Sequence, residues 1–291
     1  MKPHLVIGAT GLVGAPLVRA VTSARLPAVG TKLTSDAPDA QPLDIRDRAR
    51  VIALVAGLAP EVVYLPAAIA NVDACEERPQ EAWLTNVAGL CNVVQAANRV
   101  GAVLVFFSTD YIFDGTSGPY PEDDPARPIG EYGRQKVIGE QHVALHAREF
   151  LIVRTTVVYG WERRGKNFVT SLVATLARGN EVRVPVDQVG TPTYAPNLAE
   201  VVVGLVTAGV RGVVNVAGPD RVSRVALAHE AAAVFGLDPG LVVPTSTRDL
   251  GQRAARPLEA GLVVDKVRGL STVPLVGYRE GLRMMVAEKK P

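Results

Sequence analysis

Apolar and polar positions along this chain follow two rhythms. Short, nearly continuous apolar runs occupy 4–9 (HLVIGA), 28–34 (AVGTKLT), 61–67 (EVVYLPA), 102–108 (AVLVFFS) and 150–155 (FLIVRT), and each reads as a strand. Between them lie LVGAPLVRAVTSA, RDRARVIALVAGLA, the long stretch 79–101 and EYGRQKVIGEQHVALHA, all with helical spacing. Strands that are apolar on both faces and separated by helices predict a parallel sheet covered on both sides. The expected class is α/β, a doubly wound Rossmann sheet.

After about residue 155 the alternation breaks. GWERRGKNF is a polar loop, FVTSLVATLARGN a helix closed by Gly179, and VDQVGTPTYAPN a turn-rich segment suited to lining a pocket. A late strand is expected at 211–218 (RGVVNVAG). The division that follows is a dinucleotide-binding domain over 1–155, completed by about 196–217. A smaller interleaved substrate lobe would be made from 156–195 and 218–291.

Composition narrows the classes. The chain has 291 residues, a formal net charge of +2 and 48% hydrophobic residues, with both signs of charge interspersed. This argues against a nucleic-acid surface or a membrane patch. No run approaches a membrane span, and the N-terminus shows no secretory pattern, so a soluble, cytoplasmic protein is expected. The two cysteines, Cys75 and Cys91, read as packed thiols, and no metal site is expected.

Chemistry enters at VIGATGLVGAPLV. Gly8, Gly11 and Gly14 sit where a strand turns into a helix. Such glycines allow a tight turn and let a pyrophosphate approach backbone N–H groups at a helix N-terminus. The second strand lacks the acid that would bind a ribose 2′-hydroxyl at its end. Lys32, Thr34 and Ser35 stand there instead and suit a 2′-phosphate, so NADP (NADPH) is favoured over NAD. Further on, Tyr132 and Lys136 are four apart on a helical pattern and so share a face. An ammonium beside a phenol is expected to lower the tyrosine pKa, and the hydroxyl of Thr109 or Ser108 could hold the same substrate oxygen.

With these blocks in place the chain resembles the extended short-chain dehydrogenase/reductases, closest to the dTDP-4-dehydrorhamnose reductase-like branch. The carriers are GATGLVG, LDIRD, AAIANVDACEERPQEAWLTNV, STDYIFDG, YGRQKVIGE, VRTTVVYG, DQVGTPTYAPNLAE and RPLEAGLVVDK. The resemblance implies a catalytic set of Thr109, Tyr132 and Lys136. It implies that Gly11, Leu12 and Val13 lie along a diphosphate, that Asp44 and Ile45 flank the adenine, and that Ala67, Ala68 and Ile69 lie along the ribose. Asn86 would support the lysine through water, and Thr109 and Asp110 would touch the sugar. The branch commonly carries an aromatic where Val157 stands, a departure that bears on which sugar is bound. The implied function is NADP(H)-dependent reduction of a nucleotide-linked 4-keto-6-deoxy sugar. Alternatives are an epimerase on the same scaffold, or a cofactor-binding regulatory subunit like the β subunit of methionine adenosyltransferase, whose LYGE stretch resembles VYGWE here. A homodimer is compatible with either.

Three more residues carry expectations. Trp83 lies on a helical pattern with Leu84, Val87 and Leu90 and reads as core. Trp161, in the loop after the fifth strand, is a candidate substrate contact. Arg256, before Pro257, is a candidate for a diphosphate contact.

Overall fold

The computed structural model describes residues 1–34, 37, 39–163 and 165–288. The first half lays down β1 (His4–Ile7), α1 (Gly14–Ser23), β2 (Ala28–Lys32), β3 (Ala40–Pro42), α2 (Arg48–Leu58), β4 (Val62–Leu65), α3 (Val72–Glu77), α4 (Pro79–Trp83) and α5 (Leu90–Val100). Then come β5 (Val103–Thr109), α6 (Glu131–His146), β6 (Phe150–Thr155), β7 (Val158–Tyr159), α7 (Phe168–Leu176), β8 (Val182–Pro185), β9 (Val189–Gly190), β10 (Thr193–Tyr194) and α8 (Ala195–Thr207). The chain closes with β11 (Gly212–Asn215), β12 (Val222–Ser223), α9 (Arg224–Val234), β13 (Val242–Thr245), α10 (Thr247–Leu250), α11 (Asp265–Leu270) and α12 (Tyr278–Ala287).

Seven strands form one sheet in the order β11-β6-β5-β4-β1-β2-β3, and every pairing is parallel. The order reverses between β1 and β4, so the loops leaving their C-terminal ends diverge and open a crevice, the place where such sheets bind ligands. Side chains of the central strands alternate between two buried layers. Val6, Tyr64, Val105 and Val153 face α1 and α8, while Leu5, Val63, Leu104 and Ile152 face α2 and α5. Their apolar runs are continuous because both faces are covered, as the sequence predicted. A separate core of Tyr159, Leu172, Val184, Tyr194, Leu227 and Leu282 holds β7, α7, β8, β10, α9 and α12 together.

Three local expectations are corrected. The helix expected over 79–101 is divided: α4 ends at Trp83, a π-helical turn spans Leu84–Gly89, and α5 follows. The wide turn turns Asn86 inward, while Gly89 lies where a Cβ would come within 2.6 Å of Ile45. Strand β3 was not expected, because its three residues end in proline and carry no apolar run. Trp83, read as core, is 41% exposed; the residues that the helical pattern placed beside it are redistributed by the π turn.

Candidate active site

The glycine turn is built by packing. Gly8 adopts φ +95°, and a Cβ on it would stand 3.0 Å from Ala67 Cβ. A Cβ on Gly14 would stand 2.0 Å from the Gly8 carbonyl oxygen, so α1 can start against the turn only with glycine there. Gly11 is different: its nearest neighbour to such a Cβ is 3.5 Å away, an ordinary contact. The protein itself does not demand a glycine at Gly11, which is what a ligand approaching the backbone would require. Among the described residues, the N–H groups of Leu12 and Val13 have no backbone acceptor and stand at the start of α1. A buried or ligand-covered N–H needs a partner, and the helix dipole makes an anion the favoured one.

The residues expected around a cofactor border the same crevice. Lys32 Nζ donates to the Ala37 carbonyl at 2.6 Å, and Thr34 follows it; Ser35 lies outside the described residues. Asp44 is gripped by Arg46 through contacts of 2.6–3.0 Å, a hydrogen-bonded ion pair that lowers its carboxyl pKa. Asn92 donates to the Ile45 carbonyl at 2.9 Å and fixes that loop. Ala67 donates to the Ile7 carbonyl at 3.1 Å and is followed by Ala68. Asn86 clamps Ile69 from both sides, accepting from its N–H at 2.8 Å and donating to its carbonyl at 3.1 Å, and also donates to Gln135 at 2.9 Å.

Thr109, Tyr132 and Lys136 come together at the C-terminal edge of β5. Two glycines let α6 approach. A Cβ on Gly133 would be 2.1 Å from the Tyr111 carbonyl, and one on Gly139 would be 2.8 Å from the Phe106 ring. That is the physical content of YGRQKVIGE. Lys136 is buried, donates to the Phe107 carbonyl at 2.7 Å, and has its Nζ 4.8 Å from the Phe106 ring centroid and 5.8 Å from that of Tyr132. Burial drives its pKa down to about 8, with Glu140 and Cys75 opposing. Thr109 Oγ1 accepts from the Tyr111 N–H at 3.3 Å, whereas the Ser108 hydroxyl is buried with no partner among the described residues.

The expected lowering of the Tyr132 pKa is corrected here. Burial raises it, reinforced by Cys75, Asp110 and Tyr111, while Thr109 opposes the shift. Desolvation of the phenolate outweighs an ammonium that faces the ring and the Phe107 carbonyl rather than the hydroxyl. Burial thus favours the protonated, neutral phenol of Tyr132.

Between this edge and the second core lies a cleft. Asp110, Tyr111, Thr156 and Val157 line one side, and Gln188 to Gly190, Pro192, Val222 to Arg224 and Pro257 the other. Asp110 braces it from below: its Oδ2 accepts from the Thr156 hydroxyl at 2.6 Å and from the Gly261 N–H at 3.4 Å. Val157 has φ +44°, a left-handed conformation costly for a β-branched residue, and its carbonyl accepts from the Thr193 N–H at 3.2 Å.

Trp161 is turned away from this cleft. Its indole N–H donates to the Met285 carbonyl at 2.6 Å and its ring meets Phe235 edge-on, so it fills the second core. Arg256 is tied to Asp73 at 2.8 Å. Tyr111, Thr156, Gln188 and Arg224 were missed. The first two adjoin residues already singled out, and Gln188 lies in a loop marked as pocket-like; Arg224 carries no signal in the sequence.

A model of the RmlD substrate binding domain matches residues 1–290. The chain belongs to this family. Among RmlD-family relatives, it is 36% identical to dTDP-4-dehydrorhamnose reductase of Mycobacterium tuberculosis, covering 78% of this chain and 76% of that protein. It is 35% identical to the probable low-salt glycan biosynthesis reductase Agl14 of Haloferax volcanii, covering 91% of this chain and 90% of that one. The crystal structure of dTDP-4-dehydrorhamnose reductase from Bacillus anthracis in complex with NADP superposes with a TM-score of 0.90 at 28% identity, over 99% of both chains.

Proposed function

We propose that this RmlD-family protein is an NADPH-dependent reductase of a nucleotide-linked 4-keto-6-deoxy sugar. The observation that carries the reading is the convergence of Thr109, Tyr132 and Lys136 on the crevice that also receives the open glycine turn. The relatives named as dTDP-4-dehydrorhamnose reductases support the substrate class.

The residues present fit the cofactor: an unfilled approach at Gly11, uncommitted N–H groups at Leu12 and Val13, and a lysine beside the turn after β2. Gly8, Gly11, Leu12, Val13 and Gly14 would hold the diphosphate, Lys32 and Thr34 the 2′-phosphate, Asp44 and Ile45 the adenine, and Ala67 to Ile69 the ribose. Bound NADPH supplies the hydride that the carbonyl carbon receives. The hydroxyl of Thr109 holds the carbonyl oxygen in place. Tyr132, kept neutral by burial, gives its proton to that oxygen as negative charge develops on it. Lys136, anchored by the Phe107 carbonyl, would offer its remaining hydrogens to the ribose hydroxyls. Asp110 and Val157 shape the wall against the sugar. No helix among the described residues is long and apolar enough to cross a membrane, in keeping with a cytoplasmic enzyme acting on a polar metabolite.

NADPH oxidation followed at 4-keto sugars linked to dTDP, GDP and UDP tests the reading. Turnover of one of them is expected. NADPH binding without turnover of any, together with a protein that co-purifies, would favour the regulatory-subunit alternative.

A further inference from the structure

Arg221, Arg224, Arg253 and Arg256 belong to the chain segments that border the cleft, and ion pairs sort them. Arg256 is 2.8 Å from Asp73, with only 8% of its side chain exposed. Arg253 is 2.8 Å from Glu77, and Arg221 pairs with Glu259. Arg224 differs. It lines the cleft, yet among the described residues its guanidinium has no ion pair; it lies 5.1 Å from the Phe168 ring centroid. The buried carboxylate lining the same cleft, Asp110, is already engaged by Thr156 and Gly261. Arg224 is close enough to matter electrically: burial raises the Asp110 carboxyl and the Tyr111 phenol, the charge of Arg224 opposes both, and its hydrogen bond to the Tyr111 side chain adds to that opposition.

Its backbone strengthens the case. Arg224 opens the eleven-residue helix α9, and the Ser223 side chain takes the Ala226 N–H. The Arg224 N–H is held by the Gln188 carbonyl at 2.8 Å, which fixes the helix start against the pocket loop. A helix N-terminus and a guanidinium with no carboxylate partner among the described residues thus place positive charge at a cleft that Asp110 and Tyr111 also line.

Building on the sugar-nucleotide reading above, we propose that Arg224 binds the diphosphate of the substrate, and that Arg256, spent on Asp73, does not. A dianionic linker is the group in such a substrate that an arginine without a carboxylate partner recognises best, through two parallel N–H···O bonds. The Phe168 ring, 5.1 Å from the guanidinium, gives it a cation–π contact on one side.

The experiment is calorimetric titration of dTDP, UDP and GDP into the NADPH-loaded protein, using the tightest of the three as probe. Arg224→Met is expected to raise its Kd by about 10- to 100-fold, the loss of one charge-assisted contact. Arg224→Lys should recover part of the loss, and NADPH affinity should stay within about twofold. Arg256→Met should weaken the probe less than Arg224→Met does. If Arg224→Met is unstable, Arg224→Gln keeps the stem and removes the charge, with the same expectation. Unchanged probe affinity in a folded Arg224 variant overturns this assignment and leaves the reductase reading standing. A wild type that binds none of the three nucleotides overturns both.

Discussion

Gly133→Ala tests whether the reacting edge depends on how closely α6 approaches the loop after β5. The added methyl would stand 2.1 Å from the Tyr111 carbonyl oxygen and 3.0 Å from Pro128 Cβ. An ordinary carbon–oxygen contact is longer by about 1 Å, and the obstacle is backbone, which has no rotamer to turn aside. Either α6 retreats or the loop moves, and overpacking of this kind costs about 1–3 kcal/mol. The displacement falls one residue from Tyr132 and three from Lys136, and a misplacement near 1 Å can cost about 100-fold in rate. Urea denaturation and steady-state NADPH oxidation measure the two effects. Gly57→Ala is the control, since a Cβ there meets nothing within 4 Å; it should stabilise the protein by about 0.5–1 kcal/mol, as alanine replaces an exposed helical glycine. If Gly133→Ala keeps both its urea midpoint and its turnover, the close approach is not what positions the site.

Other outcomes follow from the same structure. Arg154 and Glu140 form a buried pair at 2.7 Å; Arg154→Met strands the carboxylate and should cost about 3–5 kcal/mol by denaturation, much of it restored by adding Glu140→Gln. Lys136 titrates near pH 8 when folded against an ordinary value of 10.5, so the unfolded chain binds more protons between them. Its contribution to stability therefore rises with pH from about 8 to 10, where the raised Tyr132 begins to oppose it, and Lys136→Met should lack that rise in urea midpoints. Lys32→Ala should narrow the preference for NADPH over NADH by on the order of 1.5–3 kcal/mol in equilibrium titrations.

The sheet was legible because its signal is local and redundant. Each central strand is apolar on both faces, and Gly8, Gly11 and Gly14 mark the first turn without any help from distant residues. Tyr132 and Lys136 were legible because helix geometry alone places them on one face. What the sequence did not reveal depends on contacts between distant segments. The π turn at Leu84–Gly89 answers to Ile45 and Ile69, which lie far off in the chain. The upward shift of Tyr132 depends on how completely α6, α3 and β5 close around it, which spacing does not encode. Trp161 follows a strand that points at the cleft, yet Met285 and Phe235 draw it into the second core. Arg224 becomes conspicuous only once its neighbours Arg221, Arg253 and Arg256 are seen to be paired.

The proton donor is the central claim, and one substitution addresses it most directly. Tyr132→Phe removes a hydroxyl and keeps the ring that packs against Cys75 and Tyr111. Fold and NADPH affinity should persist, while single-turnover reduction of the 4-keto sugar, followed by NADPH absorbance, should slow by about 100- to 10,000-fold, the usual contribution of positioned proton transfer. A variant that binds NADPH normally and reduces the sugar at close to the wild-type rate would show that the proton comes from another group.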